Sequence, residues 1–287
     1  MFISPMLLET AHAPFTDDNY IFEPKIDGHR LILSHVNGQT RLYTRHNNDC
    51  TRQYPELASF TFDGDIILDG EVACTDPQTG VIDFEMVMER FSARKPDKIV
   101  KLSAALPVNF LVFDILRFKG IDLRGRALKD RKEILSAADL SCCPFIGKIP
   151  FIEDEGVTLY QQIRARKMEG IVAKRKNSIY VSNRSAAWQK IINWQYEDVY
   201  ITGYRKSEFG WLASVPGNDG RLRPAGIIEL GVSPRHKMAF YSVCKSLVTR
   251  EEKDFVYLEP RIKACVKIRN WTRNGMLRSP ALVDFVL

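Results

Sequence analysis

The chain has 287 residues, 45% hydrophobic and 26% charged, a balance that excludes a disordered or low-complexity protein and allows two domains of ordinary size. Its net charge of +6 is uneven: residues 196–287 hold 15 Lys and Arg against 10 Asp and Glu, a bias that suits a polyanionic partner. Six cysteines without a CxxC pair exclude a zinc ribbon and an oxidised scaffold, and the N-terminus lacks the basic and apolar regions of an export signal, so a reducing cytoplasm without a membrane span is expected.

In chain order, alternating apolar positions predict short strands at 20–22, 30–33 and 41–43, with Asn37-Gly38 as the hairpin turn between the last two. Further strands are expected at 66–73 and 107–116, and helices at 84–92, 129–137 and 158–167. In the first of these helices Phe84, Val87, Met88 and Phe91 share one face. Residues 1–194 therefore read as an α+β domain built on antiparallel sheets with flanking helices. From 195 to 287 the pattern changes to strands with glycine breaks, at 199–204, 210–214, 225–231 and 262–271, interrupted by a helix at 238–258. Such a set suggests a small Greek-key β-barrel of the OB type, a platform that often binds nucleic acid. In the last long strand Ile262, Ala264, Val266 and Ile268 alternate with Lys263, Cys265, Lys267 and Arg269, which makes one face apolar and the other mostly basic.

The residues that carry chemistry begin at Lys25-Ile26-Asp27-Gly28-His29-Arg30. A lysine that loses its proton is a nucleophile able to bond to phosphorus. Asp27 is placed to orient it or hold a cation, Gly28 lets backbone approach a ligand, and Arg30 can fork onto phosphate or ribose oxygens. Asp69-Gly70-Glu71 offers carboxylates suited to ribose hydroxyls or to Mg²⁺. Phe110 to Asp114 offers an aromatic for base stacking, although any one phenylalanine there serves equally as core. Glu169-Gly170-Ile171-Val172-Ala173-Lys174 sets a carboxylate and a lysine on opposite faces of a flat strand, so a twist or bulge is needed to bring both to one ligand. Tyr180, Arg184, Trp188 and Lys190 form an aromatic and cationic set suited to a triphosphate.

In order and spacing these segments resemble the ATP-dependent DNA ligases of the covalent nucleotidyltransferase superfamily, in a minimal two-domain form. Lys25 to Arg30 resembles motif I, Tyr43-Thr44-Arg45 motif Ia, Leu68-Asp69-Gly70-Glu71 motif III, Phe113-Asp114 motif IIIa, Glu169 to Lys174 motif IV and Trp188-Gln189-Lys190 motif V. The resemblance implies ATP as nucleotide donor, Mg²⁺ or Mn²⁺ as cofactor, and nicked duplex DNA as partner of a monomer that associates with the nucleoid when bound. It implies that Lys25 carries AMP, Glu23 selects adenine at its exocyclic amine, Arg30 and Glu71 hold the ribose, and Arg45 meets the 5′-phosphate of a nick. Phe113 would stack on adenine, Glu169 and Glu71 would hold the metal, and Lys174 with Lys190 would neutralise the α-phosphate. An RNA ligase or an mRNA-capping guanylyltransferase shares the motif I chemistry; a catalytically dead OB module for nucleic acid is the non-enzyme alternative. The chain departs from the family pattern at Ile192, where many relatives have a second motif V lysine. After Leu277-Arg278-Ser279-Pro280, which resembles motif VI, it also lacks the charged ending that orients pyrophosphate.

Overall fold

In the computed structural model, which describes residues 1–76 and 79–286, the chain begins with strands β1 (Leu7–Thr10), β2 (Tyr20–Pro24), β3 (His29–Val36) and β4 (Gln39–Thr44). Asn37 and Gly38 turn β3 into β4 at φ 52° and 71°, the two positive angles that a tight hairpin turn demands. Helix α1 (Pro55–Ala58), strand β5 (Ile66–Cys74), helices α2 (Phe84–Ser92) and α3 (Pro96–Ala105) and strand β6 (Val108–Phe118) follow. Asp83 caps α2 by accepting from the Met86 amide at 3.0 Å, which fixes where that helix starts. The chain continues through β7 (Ile121–Asp122), α4 (Leu128–Ala137), β8 (Ile146–Lys148), β9 (Ile152–Glu153), α5 (Gly156–Ala165), β10 (Gly170–Arg175) and β11 (Arg184–Ile192).

These strands make two sheets, ordered β1-β11-β10-β2-β9 and β4-β3-β5-β6-β7 with β8 beside β6. Alternation along each strand then sorts the side chains into layers. Leu31, Leu33, Leu68, Val72 and Phe110 face α1 and α2, while Ile32, Ile67, Phe113 and Leu116 face the other sheet and meet Ile21, Met6 and Trp188 between the two. On the far side of the second sheet Phe22, Ile171, Ala173 and Ile191 pack under Leu159 and Ile163 of α5. Polar residues in phase with the middle layer, such as Glu23 with Ile21 and Arg30 with Ile32, are thus aimed into the gap between the sheets, and that gap holds the site.

The chain divides into two compact units, Met1–Asn193 and Trp194–Leu287. The second contains β12 (Gln195–Arg205), β13 (Trp211–Pro216), β14 (Leu222–Ile228), helix α6 (Pro234–Val243), β15 (Val248–Glu251), β16 (Phe255–Ile268) and β17 (Ala281–Val286). Its sheet runs β14-β13-β12-β16-β15, with β17 on β16, and a register shift between Ile201 and Gly203 on β12 bends the pairing with β16. This is the α+β plan with a curled OB-type sheet that the sequence predicted. The helix expected at 238–258 is shorter and earlier: Ser233 and His236 form a reciprocal cap that starts it at Pro234, and it ends at Val243. Residues 248–251 pair with β16 instead, where Val248 and Thr249 suit an extended backbone. On β16 Ala264, Val266 and Ile268 are buried, while Lys263 lies 5.2 Å from the Tyr200 ring centre and Lys267 5.1 Å from that of Trp194. The basic face is therefore interleaved with aromatic rings.

Candidate active site

Strand alternation places Glu23 on β2, Val172 and Lys174 on β10, Trp188 on β11, Arg30 on β3, Glu71 on β5 and Phe113 on β6 around one pocket, with Lys25 following β2 at its edge. The backbone of Lys25 is fixed because its N–H donates to the Gly170 carbonyl at 2.8 Å. A side chain at position 28 would put its Cβ 2.0 Å from the Val72 carbonyl oxygen, so only glycine lets the chain turn from the nucleophile onto β3.

The Lys25 ammonium lies 2.6 Å from a Glu169 carboxylate oxygen, and this ion pair is mostly shielded from solvent. The distance between Glu169 and Lys174 along a strand is bridged at Gly170, whose φ of 146° breaks the alternation at the first residue of β10. Glu169 then reaches Lys25 while Lys174 enters the same pocket by ordinary alternation. No bulge inside the strand is needed.

Glu23 is 2% exposed and sits between two lysines, with Lys132 on one oxygen and Lys174 at 2.7 Å from the other. Lys174 also lies 4.2 Å from the Phe113 ring centre and 4.1 Å from that of Trp188. Burial pulls the Lys174 amine down to about 8, with Glu23 resisting and Lys132 adding to the fall. Burial likewise pushes the Glu71 carboxyl up to about 7, opposed chiefly by Lys25 and Arg30. A lysine and a carboxylic acid in one cleft both titrate close to neutrality, as proton-transfer and phosphoryl-transfer sites require.

Arg30 is already engaged: it forks onto Asp69 at 2.5 and 2.6 Å and lies 4.5 Å from the Phe113 ring centre. Asp69, expected beside Glu71 as a ligand, is fully buried and also accepts from the Tyr180 hydroxyl at 2.7 Å, and that hydroxyl in turn accepts from the Met6 amide. Asp69 and Tyr180 are thus anchors that hold Arg30. Trp188 is also fully buried and forms the pocket wall, and Arg184 is exposed and donates to the Leu8 carbonyl. The aromatic and cationic set expected at 180–190 does not form one triphosphate site. Lys190 stands opposite Val172, in line with Glu23, and so shares the pocket-side face. Arg45 lies outside the pocket, exposed in the turn after β4, where its Nε donates to His46 at 2.9 Å. Ile192 is 5% exposed, opposite Gly170.

Two residues of α4 escape a reading by sequence. Lys132 is one, and Arg131, fully buried and forked onto Asp114 at 2.9 and 2.8 Å, is the other. Adjacent cations on a helix read as a solvated face, and nothing local signals that buried carboxylates wait for them. Among the described residues no group of three or more His, Cys, Asp or Glu gathers to hold a metal. With Glu23 taken up by two lysines, Glu71 in the pocket wall and Glu169 beside Lys25 are the carboxylates that would hold a metal, and two suit Mg²⁺, which keeps waters and borrows phosphate oxygens.

Known proteins are similar to this chain in sequence and in fold. Residues 5–191 match the family model described as the ATP dependent DNA ligase domain. The chain is 38% identical over 282 residues to the SPbeta prophage-derived DNA ligase-like protein LigB of Bacillus subtilis, covering 98% of each. It is 29% identical to the multifunctional non-homologous end joining DNA repair protein LigD of Mycobacterium tuberculosis, over 90% of this chain but 35% of that protein. The solved structure of mycobacterial DNA ligase D complexed with ATP and MES superposes with a TM-score of 0.60 at 27% identity, over 99% of this chain and 94% of that one. A Lig E DNA ligase structure shares the fold over the whole of both chains, with a TM-score of 0.69 at 17% identity. With the lysine-centred pocket and the family match across the first unit, the chain belongs to the ATP-dependent DNA ligases.

Proposed function

We propose that this DNA ligase seals nicks in duplex DNA as a monomer, through an AMP adduct on Lys25. The placement of Lys25 at the rim of the pocket formed by Glu23, Arg30, Glu71, Phe113 and Lys174 carries this reading. In the first step the neutral Lys25 amine attacks the α-phosphorus of ATP, a P–N bond forms, and the bond to the β-phosphate oxygen breaks as pyrophosphate leaves. In the second a 5′-phosphate oxygen of the nick takes AMP from Lys25. In the third the 3′-hydroxyl attacks that phosphate, loses its proton and releases AMP.

The Glu169 carboxylate holds the Lys25 amine at 2.6 Å. Mg²⁺ held by Glu169 and Glu71 would draw that carboxylate off the amine and offset charge on the α-phosphate. Glu23 accepts from the adenine amine, Phe113 stacks on the base, and Glu71 with Arg30 faces the ribose. Lys174 and Lys190 approach the α-phosphate, and Arg45 meets the nick phosphate outside the pocket. The aromatic and basic face of β16 is suited to duplex phosphates, so binding to nicked duplex weakens steeply with salt.

Incubation with α-labelled ATP and Mg²⁺, followed by nicked duplex, tests the whole sequence. The label is expected on Lys25, then on the 5′-phosphate, then in free AMP as the strand closes; chelation of the metal stops the first step. An adduct of undiminished yield in Lys25→Ala, or sealing of RNA alone, refutes the proposal.

A further inference from the structure

Glu23, Lys132 and Lys174 are 2%, 5% and 2% exposed, and they form a closed triad at the pocket. Lys132 reaches one Glu23 oxygen from α4, whereas Lys174 reaches the other from β10, at 2.7 Å. The amine of Lys174 also lies 4.2 Å from the Phe113 ring centre. Base recognition needs both of these places. An exocyclic amine has to donate to Glu23, and a purine ring has to lie on Phe113, yet Lys174 now contacts both groups. The α-phosphate, in contrast, needs the cation that is parked on Glu23.

We propose that adenine displaces Lys174 from Glu23 and so releases its amine to the α-phosphate, which makes Lys174 a base-gated residue while Lys132 stays behind as the partner of Glu23. The proposal rests on the assignment of Glu23 as the base reader and extends it from binding to rate. Adenine carries a donor at C6 that replaces the ammonium on the carboxylate. A 6-oxo purine presents an acceptor there, repels Glu23 and leaves Lys174 in place. A purine with hydrogen at C6 moves the amine off the Phe113 ring but offers no replacement donor to Glu23, so the carboxylate keeps its lysine. Discrimination between bases therefore enters the chemical step, beyond what the contact with Glu23 adds to affinity.

Single-turnover formation of the protein-AMP adduct tests this, with ATP and purine riboside triphosphate as the two nucleotides. For each, the dissociation constant and the limiting rate are obtained from the concentration dependence. In the wild type the limiting rate is expected to be at least about 10-fold higher with ATP. In Lys174→Met both limiting rates fall, that for ATP by about 100-fold, the scale of removing one charge-stabilising donor, and the ratio between the nucleotides approaches one. The ratio of dissociation constants is retained, because Glu23 still reads the amine. Lys132 continues to pair Glu23 in that variant, so no buried carboxylate is stranded. Lys174→Gln, which keeps a donor for Glu23, serves if the methionine variant folds poorly, and the same collapse of the rate ratio is expected.

A rate ratio unchanged by either substitution, or discrimination confined to the dissociation constants in the wild type, overturns the gating. The underlying reading fails in a different way. If Glu23→Gln leaves the preference for ATP intact in both constants, Glu23 is not the base reader, whatever Lys174 does.

Discussion

His29 lies inside the motif that carries the nucleophile, yet its side chain points away from the pocket, and its burial predicts an acid sensitivity of the first unit. Its ring centre is 5.8 Å from that of Tyr54 and 4.6 Å from that of Phe91, and its Nε2 is buried without a hydrogen-bond partner. Desolvation lowers its pKa from 6.5 to about 4, with hydrogen bonding to the Arg30 backbone pulling weakly the other way. Between these values the unfolded chain binds a proton that the folded chain refuses, so stability is full above 6.5 and is lost as pH falls towards 4. The whole span is worth roughly 3 kcal/mol at 1.36 kcal/mol per unit, and the part lost between pH 7 and about pH 5 is roughly 2 kcal/mol. In His29→Phe, which fills the same aromatic cage without an ionisable group, that part of the loss is absent. The measurement is urea-dependent hydrogen exchange of the peptide covering β3, which reports the first unit without interference from the second. Wild type is expected to lose about 2 kcal/mol more than the variant over this pH interval. An equal loss in both proteins, or an imidazole that titrates near 6.5 by NMR, refutes the reasoning.

Gly170→Ala places a Cβ 2.1 Å from the Ile191 carbonyl at a φ of 146°, so calorimetry should show a loss of at least about 2 kcal/mol, and adduct formation should fall with the displacement of Glu169. Arg131→Met strands the fully buried Asp114 and should cost about 3–5 kcal/mol in denaturant melts, most of it recovered by adding Asp114→Leu. Asp69→Asn removes the charge that holds Arg30 and leaves one acceptor oxygen where Arg30 and the Tyr180 hydroxyl now use two; it should raise the KM for ATP in steady-state sealing more than it lowers kcat. Ile192→Lys adds an amine on the face that carries Lys190, at a position 5% exposed, so a lower melting temperature should accompany faster adduct formation, while sealing of a nick that already carries AMP is unchanged.

Local pattern alone determined much of this protein. Alternating apolar residues defined the strands, the face of Phe84, Val87, Met88 and Phe91 defined α2, and residue types around Lys25 defined a phosphoryl-transfer chemistry, because periodicity and side-chain reactivity are properties of short segments. Only the tertiary structure decided how polar groups pair. Asp69, with Tyr180 behind it, became the buried anchor of Arg30 instead of a ligand, Trp188 became wall, and Lys132 arrived at Glu23 from a helix more than a hundred residues along the chain. The positive φ of Gly170, invisible in a strand pattern, brought Glu169 to Lys25. In the second unit, 248–251 joined β16 and cut the expected helix short. A buried charge is tolerated only beside its partner, and that partner is chosen by the packing of distant segments, which no local spacing encodes.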